Sequence, residues 1–515
     1  MHRLRRTDRT DATRTTAALA LAACLALAAP AAAQYYAKVD LVDASAKTLH
    51  DPLQGDSEAS GPVISGLSSL SDPRMATLFR SLAGSADTGE QACGVLGDAL
   101  LSKKGLDPVL MAGVKDTDTR GRIIREANVA GLLRATPVDA ILAQGNLPDP
   151  ATLTLVSECE RRSLPWDAKL LAPMVDGKDQ VAAGLSSLLL RAHGDNAPWD
   201  AYRTRLAAMP EAERSSLIRF LSEGVLVFEL RTLVPVLLAE RSSGPLADEA
   251  AFALVGMALR LSTKEGVEAW QDWVASHRSP AALQRAALQL LASVDLEIPA
   301  GAFDQVRNGS RGLDAIADAG KALRSGADPA QTLITLLDVG HLASSEWALL
   351  RATTLPPEQA AKVWHHLDAT IRTQDPDAKP SGFLVASTSR ELMRTDPAAL
   401  SSLVAWADGK PEVLVPILAG IYDCGRPEAV PIARGLRGKL TRTGEVLAVL
   451  TLARCGTPLS DDDVDVLGRA AAGSGDVTPV QQAQAAWYYL NIKLGSADAA
   501  TARVNAVGTG SGGSK

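Results

Sequence analysis

Asp461, Asp462, Asp463 and Asp465 form the densest acidic run of the chain and directly follow Ser460. Hard carboxylate oxygens are what Ca²⁺ prefers, so a cation site is the chemistry such a run suggests. The same acids suit the first turn of a helix, where the dipole and unpaired N–H groups favour negative charge. With no second ligand group nearby, the helix start is the better reading. Asp116-Thr117-Asp118-Thr119-Arg120-Gly121 begins like a Ca²⁺ loop, with Gly in sixth place. Arg120 then puts a cation where a ligand belongs, and Ala127 stands where the bidentate Glu should be, so this is a polar turn.

His365-His366 suggests a metal or a proton relay, but adjacent helical residues point about 100° apart and cannot easily share one ion. The histidines His50, His193, His277 and His341 are scattered along the chain, and no His-Glu-x-x-His occurs. Nucleophilic and nucleotide chemistry lack their usual groups. There is no Gly-x-Ser-x-Gly elbow, no Walker A loop and no Gly-x-Gly-x-x-Gly; Gly309-Ser310-Arg311-Gly312 has the wrong spacing. No catalytic, cofactor-binding or metal-ligating set is assigned.

The large aromatic rings are the remaining candidates. Trp270 and Trp273 share a helix face, and Trp364 and Trp487 lie on amphipathic runs, the latter beside Tyr488 and Tyr489. Aligned along a groove, these four tryptophans would bind a peptide or glycan. The competing reading is that they fill gaps in cores otherwise made of Ala and Leu. Aromatics are 4% of the chain, lean for a sugar cleft, which favours the core.

The elements that must carry these residues are helices. Apolar residues recur at spacings of three and four, as in Leu217, Phe220, Leu221, Val225 and in Leu283, Ala286, Leu290. Asp-Pro pairs at Asp72, Asp107, Asp149, Asp328 and Asp396 each precede such a run. Asp accepts the orphan N–H groups as N-cap, and Pro suits the first helical position. Pro210-Glu211 and Pro357-Glu358 open helices similarly, while Gly84, Gly145, Gly224, Gly326, Gly340 and Gly409 mark stops. These signals predict about twenty helices of roughly 10 to 18 residues in an all-α chain of helix hairpins. No alternating β-branched runs suggest a sheet.

Residues 1–33 read as a signal peptide. Arg3, Arg5, Arg6, Arg9 and Arg14 precede an apolar stretch, Ala17 to Ala29, and Ala31-Ala32-Ala33 offers cleavage after Ala33. The alternative is a lipoprotein anchored through Cys24, in Leu21-Ala22-Ala23-Cys24. No later window reaches the roughly 20 apolar residues of a membrane helix, so no integral segment is expected after removal of the signal. The expectation is an exported chain, periplasmic or secreted. Without residues 1–33 the formal net charge moves from −7 to −10. Nucleic-acid binding, which needs a basic face, is disfavoured.

Four cysteines then remain: Cys93, Cys159, Cys424 and Cys455. In an oxidising compartment they permit two disulfides, Cys424–Cys455 and Cys93–Cys159. Equivalent positions in neighbouring helical repeats lie roughly 8 to 10 Å apart, beyond ordinary disulfide reach, so small buried side chains are the alternative.

Cys424-Gly425-Arg426-Pro427 and Cys455-Gly456-Thr457-Pro458 stand 31 residues apart and follow one script: a helical run stops at Cys-Gly and Pro opens the next. A recurrence of that length marks stacked repeats. Gly425-Arg426-Pro427-Glu428-Ala429-Val430-Pro431-Ile432-Ala433-Arg434-Gly435-Leu436, followed by Glu445 to Gly456, resembles bacterial HEAT-like repeats. The likeness is good over residues 411–470. Val446-Leu447 stands where that family usually has Val-Arg, and Leu233 to Leu238 with Glu249 to Leu254 is a fainter echo. The resemblance implies an α-solenoid binding scaffold and names no ligand.

The expected organisation is a helical repeat region over 34–372, HEAT-like repeats over 383–505 and a flexible Gly/Ser tail over 506–515. The polar stretch 373–382 divides the two repeat regions, and residues 34–62 are partly extended. The functional expectation is a non-catalytic scaffold for an unidentified protein partner. The alternative is a helical-toroid enzyme, lyase or hydrolase, acting on polysaccharide, which would need two converging carboxylates.

Overall fold

A computed structural model describes residues 40–54, 60–293, 298–340, 342–373, 380–422, 424–473 and 477–510. The expected signal peptide, with Cys24 and the cleavage site after Ala33, lies outside them. Among the described residues every regular element is a helix, and none is long and apolar enough to cross a membrane.

The helix starts obey the capping chemistry. Asp107 accepts from the Val109 amide at 2.8 Å, Asp328 from Ala330 at 2.9 Å and Asp396 from Ala399 at 3.0 Å. In each case Pro occupies the next position, where its missing N–H costs nothing. Asp149 differs: it is the first residue of the Asp149–Arg161 helix, and its side chain does not cap it. Gly224 ends nothing. It lies inside the Glu211–Val227 helix, where Leu185 packs so closely that a Cβ would stand 2.7 Å from its Cδ2. On that helix Leu217, Leu221 and Val225 are buried, but Phe220 is 41% exposed.

The first and last described stretches are more helical than their composition suggests. Asp40 accepts from the Val42 amide at 2.9 Å and caps the Leu41–His50 helix, and Ser60–Ser69 is helical too. The Ala497–Gly510 helix covers the first five residues of the expected tail; it packs on Leu41–His50 and Met75–Ala83 and buries Val504.

The helices stack in series. Thr88–Ser102 packs on Thr117–Val129, then Asp149–Arg161, Gln180–Ala192, Glu211–Val227 and Asp248–Arg260. Further on, Pro357–Thr373 packs on Gly382–Thr395, which packs on Pro411–Ile421, then Arg442–Arg454 and Pro479–Leu494. The polar stretch 373–382 therefore joins two packed helices, and one hydrophobic core continues from Val255 to Leu452 across it. Several stacked helices are buried on every side, as Val446 through Leu452 are, which is why their sequences are apolar all round.

Arginines tie successive layers together. The last carbonyls of a helix have no intrahelical partner. Arg162 donates to Thr136 O at 2.6 Å, Arg205 to Val175 O at 3.2 Å and Arg426 to Arg394 O at 2.7 Å, each at the end of a helix in the adjoining layer.

The stack closes on itself. Pro479–Leu494 packs against both Leu41–His50 and Ser60–Ser69, and Ser60–Ser69 against Thr88–Ser102, so the order of contacts returns to its start. One core joins Ala46, Leu49, Leu67 and Phe79 to Leu467, Ala486, Trp487 and Leu490. Polar contacts reinforce this seam: Thr48 Oγ1 donates to Ala471 O at 2.8 Å, Gln484 Nε2 to Gly66 O at 2.8 Å, and Arg503 pairs with Asp43.

Candidate functional site at the seam

The first and last described helices meet around a cleft of about 350 Å³ lined by His50, Gln54, Ser81, Ser85, Asp87, Glu90 and Asn505. His50 ends the Leu41–His50 helix, and Gln54 follows the short turn after it. Ser81 lies on Met75–Ala83. Asp87 and Glu90 belong to the start of Thr88–Ser102, and Asn505 comes from the last helix.

Asp87 is the N-cap of its helix and accepts from the Glu90 amide at 2.9 Å. Ser85 donates its hydroxyl to Glu90 Oε2 at 2.5 Å and receives the Asp87 amide at 3.1 Å. Asn505 Nδ2 donates to Ser81 Oγ at 2.7 Å, across the seam. The ring of His50 is 4% exposed. The Gln54 amide nitrogen lies 2.9 Å from its Nε2, and Nδ1 makes no hydrogen bond. Glu90 Oε1 stands 3.2 Å from the same nitrogen, so a protonated Nε2 donates to the carboxylate. The wall thus carries two carboxylates, an imidazole, two amides and two hydroxyls, and among the described residues no Lys or Arg lines it.

The structure disperses the residues singled out by the sequence. Trp270, Trp273, Trp364 and Trp487 are 0, 2, 1 and 0% exposed, so they form no groove. The first three fill one core and Trp487 fills the seam core. Trp270 Nε1 donates to Gln289 Oε1 at 2.9 Å, Trp273 stacks on His277, and Trp487 Nε1 donates to Asp72 Oδ2 at 3.0 Å. Helices whose faces are mostly Ala leave gaps between layers, and a large ring fills them.

No disulfide joins the four cysteines. Cys93 sits in the seam core with Sγ toward Leu53 O at 3.5 Å, whereas Cys159 belongs to a different core. Burial pushes the Cys93 thiol up to about 12 and that of Cys159 up to about 11. Cys455 is the C-cap of Arg442–Arg454 and Cys424 lies three residues past the end of Pro411–Ile421; each precedes a glycine with positive φ, and their sulfurs turn to backbone carbonyls, Arg426 O at 3.1 Å and Gly420 O at 3.6 Å.

Asp461 to Asp463 form the first turn of Asp461–Ala471, where Ser460 and Asp463 make a reciprocal capping box. Asp462 and Asp463 also pair with Arg437, at 2.8 and 2.9 Å. Asp116 caps Thr117–Val129, and Arg120 turns inward to donate to Met111 O at 2.6 Å. His365 and His366 point to different acids, Asp396 at 3.3 Å and Asp338 at 2.7 Å. Together with His193 on Glu160 and His277 on Asp248, they form contacts between neighbouring helices rather than a shared site.

None of the cleft residues was assigned a role from sequence. Asp87 and Glu90 read locally as an ordinary helix start, and only the chain closure brings them to Asn505. Comparison with family models, with curated proteins and with solved structures finds no match to this chain.

Proposed function

We propose that this chain is an exported, non-catalytic scaffold of HEAT-like helical layers that holds a protein partner in the cell envelope or periplasm. The observation that carries the reading is the single hydrophobic core shared by residues 46–93 and 446–504. Covering both ends of the stack with each other leaves a preformed frame, and a preformed surface binds without the entropic cost of ordering itself. The placement of every candidate tryptophan inside a core agrees with a frame rather than a sugar-processing cleft.

A second reading, a helical-toroid enzyme acting on polysaccharide, draws on the closed circuit and on the acids in the seam cleft. Against it, Asp87 is engaged as a helix cap and Glu90 is held by Ser85 beside His50. Neither acid stands ready to move a proton.

The deciding experiment is mild crosslinking of the tagged full-length chain in its own cells, followed by purification. A stoichiometric protein adduct that survives high salt supports the scaffold. Recovery of the chain alone, or release of new sugar ends from polysaccharide that is abolished by Glu90→Gln, would overturn it.

A further inference from the structure

We infer that Asn308 is a site of self-modification, where the chain converts its own asparagine to aspartate and isoaspartate through a cyclic imide. Asn308-Gly309 is the one Asn-Gly pair in the sequence; the other five asparagines precede Val, Leu, Ala, Ile and Ala. Glycine matters because the attacking atom is its main-chain nitrogen, and a side chain on that residue crowds the approach. Gly309 has nothing within 4 Å of the place a Cβ would take, and both residues are exposed. Two contacts suit the reaction. Ser310 N–H donates to Asn308 Oδ1 at 3.0 Å, which polarises the side-chain carbonyl and meets the negative charge that grows on its oxygen. Gly309 N–H donates to Asp314 Oδ1 at 3.4 Å, so a carboxylate stands where the proton of the attacking nitrogen departs. The loop is held on both sides. Arg278 donates to the Arg307 carbonyl at 2.9 Å, and Ser310 caps the Arg311–Arg324 helix through the Leu313 amide at 3.4 Å.

Water is the only co-reactant. The Gly309 nitrogen bonds to Asn308 Cγ, the Cγ–Nδ2 bond breaks, and the proton lost from Gly309 leaves with Nδ2 as ammonia. Water then opens the ring at Cγ to give aspartate, or at the main-chain carbonyl to give isoaspartate. Either product adds a negative charge. Isoaspartate also adds a methylene to the backbone just ahead of the Ser310 cap.

The test is timed incubation of the purified full-length protein near neutral pH, followed by digestion with pepsin in acid and mapping of the peptides by mass. Asn308 is expected to convert on the order of tenfold or more faster than the exposed Asn128, Asn146 and Asn196. Isoaspartate should form alongside aspartate, since both come from one ring, and the rate should rise with pH. Asp314→Ala removes the proton acceptor and keeps a good helix former, so it should slow the conversion by roughly threefold to tenfold. Asp314→Ser provides the same comparison should that variant misfold, and the product ratio needs no variant. Aspartate without isoaspartate, a rate at Asn308 no higher than at the other exposed asparagines, or an unaltered rate in the folded Asp314 variants would each overturn the proposal.

Discussion

Arg454 donates its guanidinium to the main-chain carbonyl of Ser69, 385 residues earlier in the chain. Arg426 does the same to Arg394, only 32 residues earlier. In both cases the acceptor closes the C-terminal end of a helix in the adjoining layer, so the seam repeats the chemistry of an internal junction. A stacked-repeat protein ordinarily needs polar caps on its terminal repeats. Here the first and last described helices cover one another.

Removal of residues 477–515 should therefore be felt far from the cut. It strips the seam core of Trp487 and Leu490 and uncovers Leu49, Leu67 and Phe79. Each fully buried side chain of that size contributes about 1.5 to 3 kcal/mol. The truncated chain is expected to aggregate, or to lose protection from hydrogen exchange at the Leu41–His50 and Ser60–Ser69 helices. Full-length levels of protection there would show that the ends do not depend on each other.

Trp487 and Asp72 form a buried polar contact of the seam. Trp487→Phe keeps most of the ring and removes the N–H, and should cost about 1 to 3 kcal/mol, since the acceptor loses a partner inside the protein. Equilibrium denaturation of the variant measures this, and Asp72→Asn should be less than additive with it because the two residues share one interaction.

The same aspartate predicts an acid limit. Burial alone would raise the Asp72 carboxyl, but hydrogen bonds from Arg74 and Trp487 outweigh it and hold it below its ordinary value. A carboxyl lowered in the folded state gives stability that is complete above the unfolded value, about 3.9, and is lost as pH falls through the folded one. The full-length protein should lose stability along that acid limb, and Asp72→Asn should flatten it. An unchanged limb would show that other groups set it.

Gly66 tests the closeness of the seam. A Cβ there would lie 2.3 Å from Val480 Cγ1, while Gly61 on the same helix has open space around it. Gly66→Ala should destabilise by about 1 to 3 kcal/mol, and Val480→Ala should restore part of the loss. Gly61→Ala should be neutral or stabilising, since alanine limits the unfolded backbone. Equal effects at the two glycines would place Val480 away from Gly66.

Much of the layer plan was legible because it is local. Asp107, Asp328 and Asp396 announce their helices through a cap and a proline that act within four residues. The 31-residue spacing of Cys424 and Cys455 marks one repeat. The closure was not legible, since Gly66 with Val480 and Asp72 with Trp487 are pairings across the whole chain that no local pattern encodes. The cleft shared that fate: Asp87 and Glu90 satisfy the rules of a helix start so fully that nothing in their spacing points to Asn505. Gly224 misled for a related reason, because its missing side chain answers to Leu185 on another helix and not to a turn.

The thiols give a chemical readout of the same closure. With its thiol pushed up to about 12 by burial, Cys93 has almost no thiolate at neutral pH, and its sulfur lies in the seam core. Cys159 is similarly buried in a separate core, whereas Cys424 and Cys455 are only half-buried. Brief alkylation of the native protein, mapped by mass, should mark Cys455 before Cys93 or Cys159. In the chain truncated after residue 476, Cys93 should become reactive while Cys159 stays protected, because only the first depends on the returning helices. Simultaneous exposure of both would mean that the whole stack opens as one unit. Protection of both would mean that Cys93 is sealed without them.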